Sequence, residues 1–163
     1  MEILDGKKLS QQIKEEIRQA VALRKEKGQK VPHLAAVLVG NDGASLTYVG
    51  SKVRSCEQVG FKSTLIRLEQ SISEAALLSR IKTLNEDDTL DGYIVQLPLP
   101  KHIDEEKILL AVDPKKDVDG FHPSNFGRMA LEMDSFIFAF RFLEKIEISS
   151  SVMPLKICGF KPS

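Results

Sequence analysis

Tryptophan is absent from the 163-residue sequence, cysteine occurs twice, and neither sign of charge is in excess. The 23 basic and 23 acidic side chains give a formal net charge of zero, and no basic stripe stands out, which argues against a nucleic-acid partner. Cys56 and Cys158 lack metal-ligand spacing, so they predict no metal site, and isolated cysteines suit a reducing compartment.

Long apolar runs are absent too. No stretch approaches the roughly 20 apolar residues that a membrane-spanning helix needs, so no membrane association is expected. The start of the chain, MEILDG, has neither the apolar core of a signal peptide nor the arginine and serine content of a transit peptide. These absences predict a cytoplasmic protein. The length suits one domain that buries about two-thirds of its unfolded surface.

Helices and short apolar strands alternate along most of the chain. Helical spacing of apolar residues predicts helices over about 7–27 and 44–59, and further helices after the candidate caps Ser71, Asp104 and Ser124. Ser71 and Glu74 have the spacing of a capping box. Apolar runs predict strands over 33–39, 64–68 and 92–95. This order is typical of an α/β domain whose parallel sheet is covered by helices on both faces.

Tyr48 and Lys52 are four residues apart on the second expected helix, so their side chains lie one turn apart on the same face. A lysine beside a crevice can donate a proton or polarise a reacting group. The alternative is a solvated helix face that carries an amphipathic tyrosine and a lysine.

Gln96 directly follows the third expected strand and precedes Leu97-Pro98-Leu99-Pro100. Open α/β sheets bind ligands at the carboxyl ends of their parallel strands, and the two prolines stiffen this loop. A stiff loop can hold a glutamine amide where it orients a lysine or a substrate heteroatom. The alternative is a proline-containing connection that only ends the strand.

Asp117 and Asp119 stand just before Gly120. Paired carboxylates can act as acid and base, and a carboxylate also suits the edge of an amidine-like heterocycle, which offers two parallel N–H donors. The glycine and glutamate positions of a calcium loop are missing, which argues against a metal ion. The alternative is an Asx-type turn with Lys115 and Lys116 as solvated neighbours.

The composition and periodicity of the sequence change after Ser135. Four of the eight phenylalanines alternate with other residues between 136 and 142, and no clear helical period follows. The pattern fits an edge strand followed by coil. It equally fits a segment foreign to the fold, from a truncated, spliced or frame-shifted coding sequence.

Three motifs occur in one order: YVGSK at 48–52, DGYIVQLPLP at 91–100 and KDVDGFHP at 116–123. With them the chain resembles the bifunctional methylenetetrahydrofolate dehydrogenase/methenyltetrahydrofolate cyclohydrolase family, in its bacterial branch, from about residue 4 to residue 127. The resemblance implies a three-layer α/β/α folate-binding catalytic domain over residues 1–135. For the full-length family it implies oxidation of 5,10-methylenetetrahydrofolate with NADP or NAD, hydrolysis of the product to 10-formyltetrahydrofolate, and a homodimer.

The resemblance also implies roles for single residues. Lys52 matches the lysine that assists the cyclohydrolase step, and Gln96 matches the glutamine that tunes this lysine. Tyr48 would stack on the aminobenzoyl group of a tetrahydrofolate derivative, and Asp119 would hold its pterin ring. The Leu97-Pro98 step would line the same pocket.

The family's second, Rossmann-type domain has no expected counterpart here. After Gly127 the sequence holds one further glycine, Gly159, so it has no glycine-rich phosphate loop and no cofactor-binding residues. Residues 136–163 match nothing in the family, which favours an aberrant tail from a truncated or frame-shifted gene. The chain is then either an incomplete enzyme or a non-catalytic folate-binding fragment. A receiver-like interaction domain, suggested by Asp42 alone, is a third alternative.

Overall fold

A computed structural model describes residues 5–131 and 133. Within this part of the chain, helices alternate with strands as the sequence predicts, and the strands form one parallel sheet. The helices are α1 (Gly6–Glu26), α2 (Gly43–Val59), α3 (Glu74–Glu86), α4 (Glu105–Ala111) and α5 (Pro123–Ala130), and the strands are β1 (His33–Val39), β2 (Lys62–Leu68) and β3 (Gly92–Val95). The expected domain boundary at residue 135 and the phenylalanine-rich tail lie outside the described residues.

Strand β1 lies at the centre of the sheet, between β2 and β3. Val37 of β1 pairs with Ile66 of β2 and with Val95 of β3, and both pairings are parallel. A further parallel bridge joins Tyr93 of β3 to Asp117, so the acidic motif runs alongside this strand. Because the strands are parallel, their carboxyl ends share one edge of the sheet, and the motif reaches that edge.

Apolar side chains cover both faces of the sheet, which confirms the predicted α/β arrangement. On one face β1 and β3 pack against α3 and α4, where Leu77 and Ile108 are fully buried. On the other face the same strands pack against α2 through Val49. Alternation along β3 sends Val95 to the first face and Ile94 to the second. We call these the α3/α4 face and the α2 face.

The start of α3 differs from the prediction. Ser73, not Ser71, is the N-cap, and its Oγ accepts a hydrogen bond from a first-turn backbone N–H at 3.2 Å. Glu74 does not complete a capping box, because its carboxylate accepts from the backbone N of Asp104 at 3.0 Å and pairs with Lys107. The hydrogen bond from Lys107 holds the pKa of Glu74 below its ordinary value. A contact with α4 therefore decides between two serines that the local pattern cannot separate.

Helix α5 begins one residue before its predicted cap. Ser124 lies inside the helix, and Nδ1 of His122 caps it by accepting from the backbone N of Ser124 at 3.2 Å. Pro123 fits the first helical position, because a backbone N–H there would have no partner within the helix. Asp104 caps α4 as predicted, by accepting from a backbone N–H at 3.3 Å.

Position 92 requires glycine because the acidic motif approaches β3 closely there. A Cβ at this position would lie 2.6 Å from Cγ2 of Val118 and 3.1 Å from the carbonyl oxygen of Lys116. We expect Gly92→Ala to lower the free energy of unfolding by about 1–3 kcal/mol, because the added methyl group overpacks this contact. Urea unfolding followed by circular dichroism measures the loss.

Gly127→Ala is the matched control for this substitution. Open space surrounds Gly127, which lies in α5, so an added methyl group meets no atom there. Alanine also has the higher helix propensity, and we expect unchanged or slightly higher stability. An equal loss of stability in both variants would contradict the steric explanation.

Candidate functional site

Helix α2 presents Tyr48 and Lys52 on one face, as their spacing predicts. The Nζ of Lys52 lies 4.6 Å from the centre of the Tyr48 ring, within the range of a cation–π contact. Tyr48 keeps 57% of its surface exposed. Its ring can therefore hold the lysine and still offer area to a planar ligand.

Asp119 contacts Lys52 although it lies 67 residues further along the chain. The Nζ of Lys52 is 3.1 Å from Oδ1 and 3.4 Å from Oδ2 of Asp119. The side chains of this pair are 29% and 26% exposed. Ion pairs that water reaches contribute about 1 kcal/mol or less to stability, so this pair does little to hold the fold together. It does join a cation, a carboxylate and an aromatic ring at one edge of the sheet.

The two carboxylates of the acidic motif have different environments. Asp117 is buried and accepts hydrogen bonds from the backbone N of Gly120 at 3.0 Å and of His122 at 2.9 Å. It also accepts one from Nδ2 of Asn125 at 3.0 Å. Asp117 therefore forms the Asx-type turn that was the alternative interpretation of this motif. The turn leaves Asp119 to contact Lys52.

Lys116 is not the solvated neighbour that the turn interpretation predicts. Its Nζ donates to the backbone oxygens of Leu84 at 3.0 Å and of Asp87 at 2.6 Å, at the end of α3. The last carbonyl groups of a helix attract cations, which explains the contact. The acidic motif is thus anchored to α3 on one side, and sequence analysis missed this because the contact depends on tertiary packing.

Gln96 lies at the carboxyl end of β3, where its backbone N donates to the carbonyl oxygen of Val37 at 2.9 Å. Side chains alternate along a strand and Ile94 lies on the α2 face, so Gln96 lies on that face as well. Its Nε2 donates to the carbonyl oxygen of Leu97 at 2.7 Å. Its Oε1 is buried and has no hydrogen-bond partner within the described residues. The structure therefore does not join Gln96 directly to Lys52.

Some side chains of the loop after Gln96 lie in the core and others lie at the surface. Leu97 packs against the core on the α3/α4 face, and Leu99 is buried in that core. Pro98 is exposed. Of the two loop residues expected to line a folate pocket, Leu97 turns its side chain to the opposite face and offers its carbonyl oxygen to Gln96, while Pro98 stays at the surface.

A cavity of about 390 Å³ extends from Lys52 beneath α2. Apolar side chains such as Val59 line much of it, together with the half-buried Cys56. Burial, with a smaller effect of the neighbouring Glu57, raises the pKa of the Cys56 thiol. The sequence does not predict this cavity, because the gap between α1, α2 and the sheet depends on how the helices pack.

A bound dinucleotide would need a glycine-rich turn ahead of a helix. The turn between β1 and α2 contains Gly40 and Gly43, but the carboxylate of Asp42 accepts from the backbone N of Ser45 at 2.8 Å and so occupies the helix N-terminus. That hydrogen bond holds the pKa of Asp42 below its ordinary value, so the acid stays charged and would repel a phosphate. This turn therefore does not fit a dinucleotide, and Asp42 is a helix cap.

Residues 5–131 contain no group of three or more histidine, cysteine, aspartate or glutamate side chains that could hold a metal ion. Among the helices described here, none has the length and apolar character needed to cross a membrane.

The chain is similar to bacterial proteins described as bifunctional protein FolD. It is 69% identical to the one from Flavobacterium johnsoniae over 149 residues, which cover 90% of this chain and 50% of that protein. It is 50% identical to the one from Bacteroides thetaiotaomicron over 164 residues, which cover 98% of this chain and 56% of that protein. Both alignments therefore extend into residues 136–163. The chain spans about half the length of the curated relatives it matches.

Solved structures show the same likeness. The FolD methylenetetrahydrofolate dehydrogenase/cyclohydrolase from Campylobacter jejuni is 43% identical, with a TM-score of 0.77 over 88% of this chain and 53% of that chain. The Trypanosoma brucei dehydrogenase-cyclohydrolase, solved with NADP and an inhibitor, is 30% identical, with a TM-score of 0.76 over 82% of this chain and 46% of that chain.

A family model described as tetrahydrofolate dehydrogenase/cyclohydrolase, catalytic domain, matches residues 4–119. This range is more than half of the chain and includes Tyr48, Lys52, Gln96 and Asp119. The relatives, the shared fold and this match agree with the resemblance carried by the three motifs. The chain belongs to the tetrahydrofolate dehydrogenase/cyclohydrolase family and contains its catalytic domain.

Proposed function

We propose that this chain is the folate-binding part of a bifunctional methylenetetrahydrofolate dehydrogenase/methenyltetrahydrofolate cyclohydrolase. The observation that carries the proposal is the contact among Tyr48, Lys52 and Asp119 at the carboxyl edge of a parallel sheet. Open α/β sheets bind ligands at this edge. The family match supports the choice of a tetrahydrofolate derivative as the ligand.

Each member of the site has a chemistry that suits one part of a folate. The Asp119 carboxylate can accept two parallel N–H donors from the aminopyrimidine edge of the pterin. The exposed Tyr48 ring can stack on the aminobenzoyl group. Pro98, exposed after β3, can add a rigid apolar surface beside the pterin, whereas Leu97 acts through its carbonyl oxygen. Together these groups would fix the reacting carbon near Lys52.

Lys52 would act in the hydrolytic step. A water oxygen adds to the methenyl carbon that bridges N5 and N10 and releases one proton to solvent. The bond from this carbon to N5 then breaks while the new hydroxyl group loses its proton and N5 gains one, which leaves the formyl group on N10. The ammonium of Lys52 can stabilise the developing negative charge and supply the proton that N5 takes up. Gln96 would position the lysine through its free Oε1. No metal ion is needed for this sequence of steps.

The oxidation of the methylene group needs a hydride acceptor. The turn between β1 and α2 does not fit a dinucleotide, and NADP or NAD would be held by residues outside the described part of the chain. We propose hydride transfer for the enzyme of which this domain is a part. The homodimer implied by the resemblance and the cytoplasmic location predicted from the sequence stay predictions, which sedimentation and cell fractionation can test.

A non-catalytic folate-binding protein is the second candidate function. The turn between β1 and α2, which does not fit a dinucleotide, favours it. It differs from the first candidate in one property only: it would bind a folate without turning it over.

Activity assays on the purified 163-residue chain separate these candidates. With 5,10-methylenetetrahydrofolate and either NADP or NAD, we expect no reduced cofactor, because the described residues form no site that would hold the nicotinamide against the folate carbon. With 5,10-methenyltetrahydrofolate we expect slow hydrolysis that disappears in Lys52→Met. The matched control is Lys82→Met, since the side chain of Lys82 on α3 is 78% exposed.

The outcomes have distinct meanings. Equal hydrolysis by the wild-type chain and Lys52→Met would contradict the role of Lys52. Folate binding without hydrolysis would favour the non-catalytic candidate. Reduction of NADP that Lys52→Met abolishes would show that the chain does hold a dinucleotide.

A further inference from the structure

The contact between Lys52 and Asp119 creates a conflict at the proposed folate site. The Nζ of Lys52 lies within reach of both carboxylate oxygens, at 3.1 Å and 3.4 Å, so it sits on the edge between them. A pterin binds a carboxylate through two parallel N–H groups, and these need the same edge. The lysine and the heterocycle therefore compete for one position on Asp119.

We propose that Lys52 occupies the pterin position of Asp119 in the ligand-free domain, and that folate binding moves its ammonium from Asp119 to Oε1 of Gln96. This proposal rests on the proposed function. It makes Lys52 a competitor of the substrate in the free protein and a partner of Gln96 in the complex. Substrate binding would thereby release the lysine for chemistry.

The side chain of Lys52 can exchange one hydrogen-bond partner for another. Its ammonium carries three donors on a flexible stem, so it can exchange partners without a change in the backbone. Its side chain is 29% exposed, and the Tyr48 ring, 4.6 Å from Nζ, attracts the cation without fixing its direction. A partly solvated ion pair is also weak enough for a ligand to displace.

Gln96 offers the second position. Its Nε2 donates to the Leu97 carbonyl oxygen, which can only accept, and this contact fixes the amide so that Oε1 points elsewhere. Oε1 is buried and unpaired within the described residues, a condition that is costly unless a donor arrives. Gln96 and α2 lie on the same face of the sheet. The bridge from Tyr93 to Asp117 is parallel, so the acidic motif runs along β3 toward the strand end that Gln96 follows.

The proposal predicts that removing one residue of the site strengthens folate binding. Lys52→Met should bind 5-formyltetrahydrofolate roughly two- to tenfold more tightly than the wild-type chain, because Asp119 no longer has to give up an ion pair. In an Asp119→Asn background, the same substitution should not tighten binding. Isothermal titration calorimetry on the full chain measures all four affinities.

A second pair of variants tests the role of Gln96. Gln96→Met keeps the length of the side chain and removes the acceptor, so the displaced lysine has no new partner. We expect it to weaken binding about three- to tenfold when Lys52 is present and to have no effect in the Lys52→Met background. Equal weakening in both backgrounds would overturn the transfer to Gln96.

Weaker binding by Lys52→Met, to the same extent with Asp119 or Asn at position 119, would overturn the competition. It would show that Lys52 is an ordinary ligand contact, and the proposed function would stand. Absence of saturable binding by the wild-type chain would instead contradict the proposed function, and with it this inference.

Discussion

Asp119→Ala should weaken the binding of a reduced folate by about 10- to 150-fold. A hydrogen bond to a charged group contributes roughly 1.5–3 kcal/mol, and this carboxylate is proposed to accept two such bonds from the pterin. Lys52→Ala should not weaken binding, because the lysine acts on the reacting carbon and, in the ligand-free chain, competes with the pterin for Asp119. Calorimetric titration with 5-formyltetrahydrofolate compares the variants directly.

Glu86→Ala is the control for the loss of one carboxylate. Glu86 ends α3 on the opposite face of the sheet, and its side chain is 67% exposed. Its removal should leave the affinity unchanged. Equal affinities of the wild-type chain and Asp119→Ala would rule out the pterin role of Asp119.

Asp117→Ala should lower the free energy of unfolding by about 2–4 kcal/mol. The substitution removes the acceptor of two backbone N–H groups and one of the two acceptors of the Asn125 Nδ2, whose contact with Asp117 is buried. Each buried donor that loses its partner costs about 1–3 kcal/mol, and water can compensate only those near the surface. Urea unfolding followed by circular dichroism gives the value.

Substitution of the two aspartates of this motif should thus affect different properties, folate affinity at Asp119 and stability at Asp117. Asp119→Ala should keep the stability of the wild-type chain and lose affinity, because its ion pair with Lys52 is partly solvated. Asp117→Ala should lose stability first. Unchanged stability in Asp117→Ala would contradict the assignment of this residue to the turn.

The helices and strands follow closely from the sequence because local signals determine them. The strand over 33–39 has the predicted ends, and α2 differs from the prediction by one residue at its start. Gly60 ends α2 in the left-handed region, with φ at 83°, as a glycine after a helix commonly does. The caps of α3 and α5 were predicted wrongly. A contact with α4 selects the cap of α3, and a proline at the first helical position sets the start of α5.

The site could be predicted only in part. The spacing of Tyr48 and Lys52 is a local property of a helix, and their contact follows from it. The pairing of Lys52 with Asp119 joins segments 67 residues apart, and no periodicity encodes it. The buried contacts of Lys116 and the cavity beneath α2 were missed for the same reason. Roles in folate chemistry came from the resemblance, not from spacing.

The most direct test is to map where a reduced folate binds. At 18.2 kDa the isotope-labelled chain suits amide chemical-shift mapping by nuclear magnetic resonance. Titration with 5-formyltetrahydrofolate should shift amides at 48–52, 93–97 and 117–121, where the helix face, the strand end and the acidic motif meet. Shifts concentrated on α3 and α4, or no saturable shifts at all, would contradict a folate site at this edge of the sheet.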